Sequence, residues 1–107
     1  MANEVMSTAD PLGNTIFLLE GICIEGEEQQ DPEIYDTAVT VIQKPALVIR
    51  VEDEGIIEHH YFRSIGWHNT MLITAEFRNG RWECSKCVRN PSSEELSALL
   101  KKGRQLV

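Results

Sequence analysis

The sequence predicts a mainly β (α+β) fold, in which about six antiparallel strands form a small barrel or sandwich closed by one C-terminal helix. Two observations carry this prediction. Asn79-Gly80 joins two runs of alternating apolar residues, and Asn-Gly is the strongest short signal for a two-residue hairpin turn. Ser92 and Glu95 have the spacing of a helix capping box, and leucines follow them at helical intervals.

Length and composition predict one soluble domain. The chain has 107 residues, of which 42% are hydrophobic and 25% charged, which is ordinary for a globular protein. No apolar run is long enough for a membrane helix. The first residues lack the basic and apolar regions of a secretory signal, and three cysteines suit a reducing compartment, so we expect a cytoplasmic protein. Residues 1–13 are expected to be a disordered lead, and residues 14–107 a single β-rich domain.

The strands are predicted in chain order from apolar and β-branched runs. Residues 15–24 and 35–42 give the first two strands, because both are apolar and the second is rich in β-branched side chains. Residues 46–51 and 56–62 give a hairpin around a three-residue loop with a bulge at Gly55, a register that pairs Arg50 with Glu58.

The Asn79-Gly80 turn predicts a second hairpin between residues 71–78 and 81–88. Its register places Ala75 opposite Cys84 and Ile73 opposite Lys86. One face is then apolar, with Lys86 as its exception, and the other is mostly polar. The apolar face comprises Met71, Ile73, Ala75, Phe77, Trp82, Cys84 and Val88.

The last predicted element is a helix that begins after Ser92 and ends at Gly103. Six strands followed by one helix resemble the pleckstrin-homology type of architecture, in element order alone and without a shared motif. The resemblance implies a small barrel plugged by the helix.

Cys84 and Cys87 form a C-x-x-C motif, a spacing typical of zinc or redox sites. With Trp82 and Asn90 it resembles the first half of a Ran-binding-protein type zinc finger, W-x-C-x2-C-x3-N, which implies zinc as a cofactor. Here two residues, not three, precede the asparagine, and no second C-x-x-C pair follows.

A regular strand argues against a metal at this motif. It would point Cys84 and Cys87 to opposite faces, with Cα atoms roughly 10 Å apart. Four ligands would also need Cys23 and one of the histidines His59, His60 or His68. We therefore expect two passive thiols, and a structural zinc site at Cys84 and Cys87 is the alternative.

No catalytic or cofactor-binding residues are predicted. His59 and His60 are adjacent in a strand, so their rings point to opposite sides; we expect His59 in the core or at its rim and His60 in solvent. A small enzyme with a pocket between the sheet and the helix is a third hypothesis, but its nucleophilic pair, Cys87 with His68, has no local sequence signature.

The net charge of −7 is unevenly distributed along the chain. Residues 1–58 hold 13 acidic and 2 basic residues, and residues 59–107 hold 4 acidic and 8 basic ones. The acidic total opposes single-stranded nucleic-acid binding, which depends on neutralising phosphates. The leading hypothesis is a small non-enzymatic module that binds another protein or, as a homodimer, itself, and that does not bind a membrane. Its predicted interaction face is formed by Trp67, Arg78, Arg81, Glu76 and Glu83.

Overall fold

The computed structural model describes residues 5–19 and 33–106, and within them one seven-stranded sheet carries two helices. The strands are β1 (Val5–Ala9), β2 (Thr15–Leu19), β3 (Leu47–Asp53), β4 (Ile56–Gly66), β5 (Asn69–Arg78), β6 (Arg81–Arg89) and β7 (Arg104–Gln105); the helices are α1 (Glu33–Gln43) and α2 (Ser93–Lys102). None of the described helices is both long enough and apolar enough to span a membrane.

The mainly β class is confirmed, but the small barrel or sandwich is wrong, because the described strands form a single sheet. The sheet is open, in the order β1-β2-β6-β5-β4-β3-β7, with β1 and β7 at its edges. All neighbouring strands are antiparallel except β2 and β6, which run parallel. The barrel that the pleckstrin-homology resemblance implied is therefore not formed.

The predicted strand over residues 35–42 is wrong, because this segment is helix α1. Ala38, Val41 and Ile42 are all buried, and their spacing of three and four residues places them on one side of a helix. Burial of that side overrides the β preference of the branched residues, since helix propensity is a weak prior.

The segment before α1 contains one strand that was not predicted. Residues 5–9 fall within the predicted lead, yet they form β1, which pairs antiparallel with β2. The predicted first strand begins at Thr15 as expected. Its extension to residue 24, the following acidic stretch and Cys23 lie outside the described residues.

The β3–β4 hairpin forms, but its predicted register is wrong by one residue. Glu54 and Gly55 alone make the turn, and both have positive φ, 50° and 81°, as a tight two-residue turn of the I′ kind requires. Arg50 consequently pairs with His59 instead of Glu58.

The β5–β6 hairpin confirms the Asn79-Gly80 turn and the register as far as Ala75 opposite Cys84. Beyond that pair the register shifts, so that Thr74 lies opposite Lys86 and Ile73 opposite Cys87. The prediction that Ile73 faces Lys86 is therefore wrong. One extra residue in β6, a β-bulge, reverses the facing of every later residue in the strand.

The main core lies between α1 and one face of the sheet. Five of the predicted core-face residues, Met71, Ile73, Ala75, Trp82 and Cys84, belong to it. Phe77 does not, because it is 42% exposed at the hairpin end. After the bulge, Cys87 takes the core position that was predicted for Val88.

Helix α2 covers part of the opposite face of the sheet. Its start is as predicted, since the Ser92 side chain accepts a hydrogen bond from the backbone N–H of Glu95 at 3.1 Å. Gly103 ends the helix, and α2 packs near β3 and β7. No residue of α2 is fully buried, so every residue of this helix keeps some access to water.

Candidate functional site

The two thiols of the C-x-x-C motif lie on one face of the sheet. Cys84 is 3% exposed and Cys87 is fully buried, and both belong to the core under α1. The expectation that they point to opposite faces is wrong, because Ser85 is the extra residue of the bulge.

Burial and mutual contact set the chemistry of these thiols. A hydrogen bond to Cys87 and removal from water both raise the pKa of the Cys84 thiol. Since the thiolate is the reactive form, Cys84 is held in its unreactive form. Residues 5–19 and 33–106 contain no group of three or more His, Cys, Asp or Glu side chains placed to hold a metal ion.

The three histidines are distributed over three environments. His59 stacks on Trp82 with ring centroids 4.2 Å apart, on the same face of the sheet as its strand partner Ala75. His60 points to the other face and is 7% exposed, so the expectation that it is solvated is wrong. His68 lies in the turn between β4 and β5, and the structure brings neither His60 nor His68 into the core that holds the thiols.

His59 belongs to a buried chain of hydrogen bonds. The Tyr61 hydroxyl donates to Asp10 Oδ2 at 2.7 Å, and it lies 3.2 Å from His59 Nδ1. A hydroxyl has one hydrogen, so His59 Nδ1 must donate to Tyr61, and Nε2 is left to accept from Arg50 at 3.3 Å. Burial and the Arg50 charge lower the pKa of His59.

This chain of bonds fastens the β1–β2 loop to the centre of the sheet. Asp10 Oδ1 accepts from the backbone N–H groups of Leu12 and Asn14, at 3.1 Å and 2.7 Å. The Asp10 side chain is fully buried, but every polar group in this series of hydrogen bonds has a partner. For this reason we assign these hydrogen bonds a structural role.

Trp67 is the most exposed large apolar side chain of the described residues, at 88%. It forms the β4–β5 turn with His68, whose φ is 51° and whose ring centroid lies 5.5 Å from that of the indole. The turn is braced from both sides. Ser64 Oγ donates to the Gly66 carbonyl, and the Thr70 N–H donates to Asn90 Oδ1 at 2.8 Å.

The charged residues of the predicted interaction face lie at the other end of β5. Arg78 contacts Glu76 at 2.9 Å, and Arg81 contacts Glu83 at 2.6 Å. β5 has ten residues, so Trp67 and this charged end are about 30 Å apart. The structure therefore does not bring Trp67 together with the other four residues.

A groove lies between α2 and the sheet face opposite the main core. Its volume is about 430 Å³, within the range of small-molecule sites. The buried residues of its floor are His60, Leu72 and Thr74. Sequence reasoning did not identify the residues of this site, although Leu72 on a face predicted to be mostly polar was a signal that the second face is also covered.

The chain matches no family model, no curated protein and no solved structure. The functional interpretation therefore depends on the geometry of the described residues.

Proposed function

We propose that this chain is a small non-enzymatic module that binds another protein or a second copy of itself, with Trp67 at the centre of the contact. The observation that carries the proposal is the 88% exposure of Trp67 on a braced turn. Tryptophan is among the residues most enriched where interface energy is concentrated.

The bracing of the turn supports the proposal independently of exposure. Hydrogen bonds from Ser64 and Thr70 fix the turn on both sides, and Asn90 also donates its N–H to the Thr70 carbonyl at 2.8 Å. A turn whose backbone is already held in place loses less conformational freedom on binding, so a contact made there contributes more to affinity.

The chemistry around Trp67 favours an apolar cavity with a polar rim as the complementary surface. The neighbouring side chains are polar, His68 and Asn69 among them, and they are at least partly exposed. Interfaces commonly place such groups around a buried aromatic centre.

A photo-cross-linking amino acid at position 67 of the full chain tests the proposal. Position 97, an exposed serine on α2, is the control site. A partner captured only from position 67 is then purified and its affinity measured. We expect Trp67→Ala to weaken binding about 30-fold or more, and Leu12→Ala, another exposed apolar residue, to leave it unchanged.

Self-association is tested by light scattering across a range of salt concentrations. If copies pair through opposite charges, the dimer fraction falls as salt rises, because screening weakens exposed ion pairs. Equal binding by the Trp67→Ala protein, or a monomer at every salt concentration with no partner captured, contradicts the proposal.

A structural zinc site at Cys84 and Cys87 is the second candidate. It is favoured by one observation, namely that the bulge places both thiols on the same face. The described residues supply two of the four ligands of a closed site, so the others would come from outside them, Cys23 being one candidate. Elemental analysis of protein purified without chelator tests this; one zinc per chain supports it, and none, with three titratable thiols, rejects it.

A further inference from the structure

The groove under α2 contains a buried polar atom without a partner in the protein. Among the side chains that the structure describes, only His60 Nε2 and Thr8 Oγ1 are buried and lack a hydrogen-bond partner. His60 lines the groove and Thr8 does not. A buried polar group without a partner costs free energy, so such a group in a cavity marks a place for one.

The His60 ring is fixed from its other nitrogen. Nδ1 lies 2.9 Å from the Thr74 hydroxyl. When Thr74 donates to Nδ1, the proton of the neutral ring is on Nε2 and is available to a ligand. The Glu58 carboxylate is 3.8 Å from Nε2, too far for a hydrogen bond.

The walls of the groove combine apolar surface with two cationic groups. Leu72, Val88 and Leu99 supply the apolar part. Lys86 and Lys102 line the same groove and are close enough to His60 to disfavour its protonation. The acidic residues Glu58 and Glu95 also line it; all four charged side chains have access to water, and none is part of the buried floor.

We propose that this groove binds a small apolar monocarboxylate. The carboxylate accepts a hydrogen bond from His60 Nε2 and is attracted by Lys102, while the hydrocarbon part lies against Leu72, Val88 and Leu99. Such a ligand gives His60 Nε2 the partner that the protein does not provide, and it replaces water on the apolar walls. The site is independent of the protein contact proposed at Trp67, since it lies on the sheet face beneath α2.

Hexanoate is the probe for this site, with hexanol and hexylamine as neutral and cationic probes of equal chain length. Backbone amide spectra of the full chain, recorded by NMR during each titration, report which residues respond, and long-range spectra of the histidine rings report His60 Nε2 directly. We expect saturable shifts at groove residues and at His60 Nε2 with hexanoate, and binding at least about tenfold weaker with hexanol.

Two pairs of variants separate the site from general charge effects. Lys101 and Lys102 are neighbours on α2, but only Lys102 lines the groove. We expect Lys102→Glu to weaken hexanoate binding about fivefold or more, and Lys101→Glu, with the same change in net charge, to leave it nearly unchanged. His60→Phe should lose about tenfold, and His68→Phe, in the distant turn, should lose nothing.

Three results overturn the proposal. Equal affinity for hexanoate and hexanol removes the role of the carboxylate, and tighter binding of hexylamine reverses the charge of the ligand. Absence of any saturable shift means that the groove holds water only. The Lys102→Glu and Lys101→Glu comparison concerns exposed positions, so it decides the matter even if the His60→Phe protein does not fold.

Discussion

At the scale of single residues, Ser85 determines which of the later side chains of β6 enter the core. As the extra residue of the β6 bulge, it turns Cys87 into the core and Lys86 out of it. The sequence contained a sign of this, because Lys86 was the exception on an otherwise apolar face. A bulge placed directly after Cys84 would remove the exception, but the alternating pattern of a regular strand does not indicate where a bulge occurs.

Thiol reactivity distinguishes the bulged strand from a regular one. In a Cys23→Ser background we expect no fast-reacting thiol in the native protein, because Cys84 and Cys87 are both buried, and two in urea. Adding Ser85→Cys, an exposed position, should restore one fast-reacting thiol. One fast thiol in the Cys23→Ser protein alone would contradict the bulge, because a regular strand exposes Cys87.

His60 makes stability depend on pH. Burial, with the charges of His59, Lys102 and Lys86, lowers the pKa of His60 to about 4. The unfolded chain titrates near its ordinary value of about 6.5. Because the folded pKa is depressed, the neutral form stabilises the fold above pH 6.5, and this contribution is lost as the pH falls from about 6.5 towards 4.

Urea unfolding between pH 8 and pH 5 measures the His60 contribution. Over this interval it should amount to about 2 kcal/mol, as an order of magnitude. The His60→Gln protein should therefore have a flatter pH profile than the wild type by about that amount. The His68→Gln protein, which changes an exposed histidine, should keep the wild-type slope; parallel profiles for the wild type and His60→Gln would contradict the assignment.

At the scale of elements, the turn and the helix cap that have strong local sequence signals were predicted correctly. Elements without such signals were not, because their structure depends on burial in the folded chain. The Asn79-Gly80 turn and the Ser92 cap were recognisable because each requires particular residues at fixed positions. Helix α1 was missed because its β-branched residues favour strands locally, while the spacing of Ala38, Val41 and Ile42 already fits a helix. The β3–β4 register was missed because Glu54 is a non-glycine residue at positive φ.

A substitution at Gly103 tests how closely the end of α2 packs on the sheet. A Cβ atom at this position would lie 2.6 Å from the Arg50 carbonyl oxygen and 2.8 Å from a methyl group of Ile49. We expect Gly103→Ala to reduce the free energy of unfolding by about 1–3 kcal/mol, since β3 cannot move away cheaply. Gly66→Ala is the matched control, because its nearest neighbour would be 3.9 Å away; equal effects of the two changes would contradict the docking.

At the scale of the whole molecule, the class of fold could be predicted from the sequence, but its topology could not. Hairpins are local and could be predicted, whereas the parallel contact of β2 with β6 joins Ile16 to Trp82 across the chain. The sheet that contains this contact is open, where a barrel was expected. Non-local pairing of this kind has no short sequence signal.

The candidate sites follow the same division between local and non-local information. Trp67 was identified from the sequence because an exposed aromatic in a turn is a local feature. The groove under α2 was not, because it depends on how a C-terminal helix lies over strands β4, β5 and β6. The central residue of the groove, His60, was expected in solvent. The sequence does not show that α2 covers the face of the sheet on which His60 lies.

Fluorescence quenching of Trp67 tests the proposed function most directly. In a Trp82→Phe background Trp67 is the sole tryptophan, and acrylamide should quench it strongly in the free chain because the indole is exposed. In the complex with the captured partner, or in the self-associated chain, we predict that quenching falls severalfold. Equal quenching of the free and bound protein would show that Trp67 stays in water and would contradict the proposal.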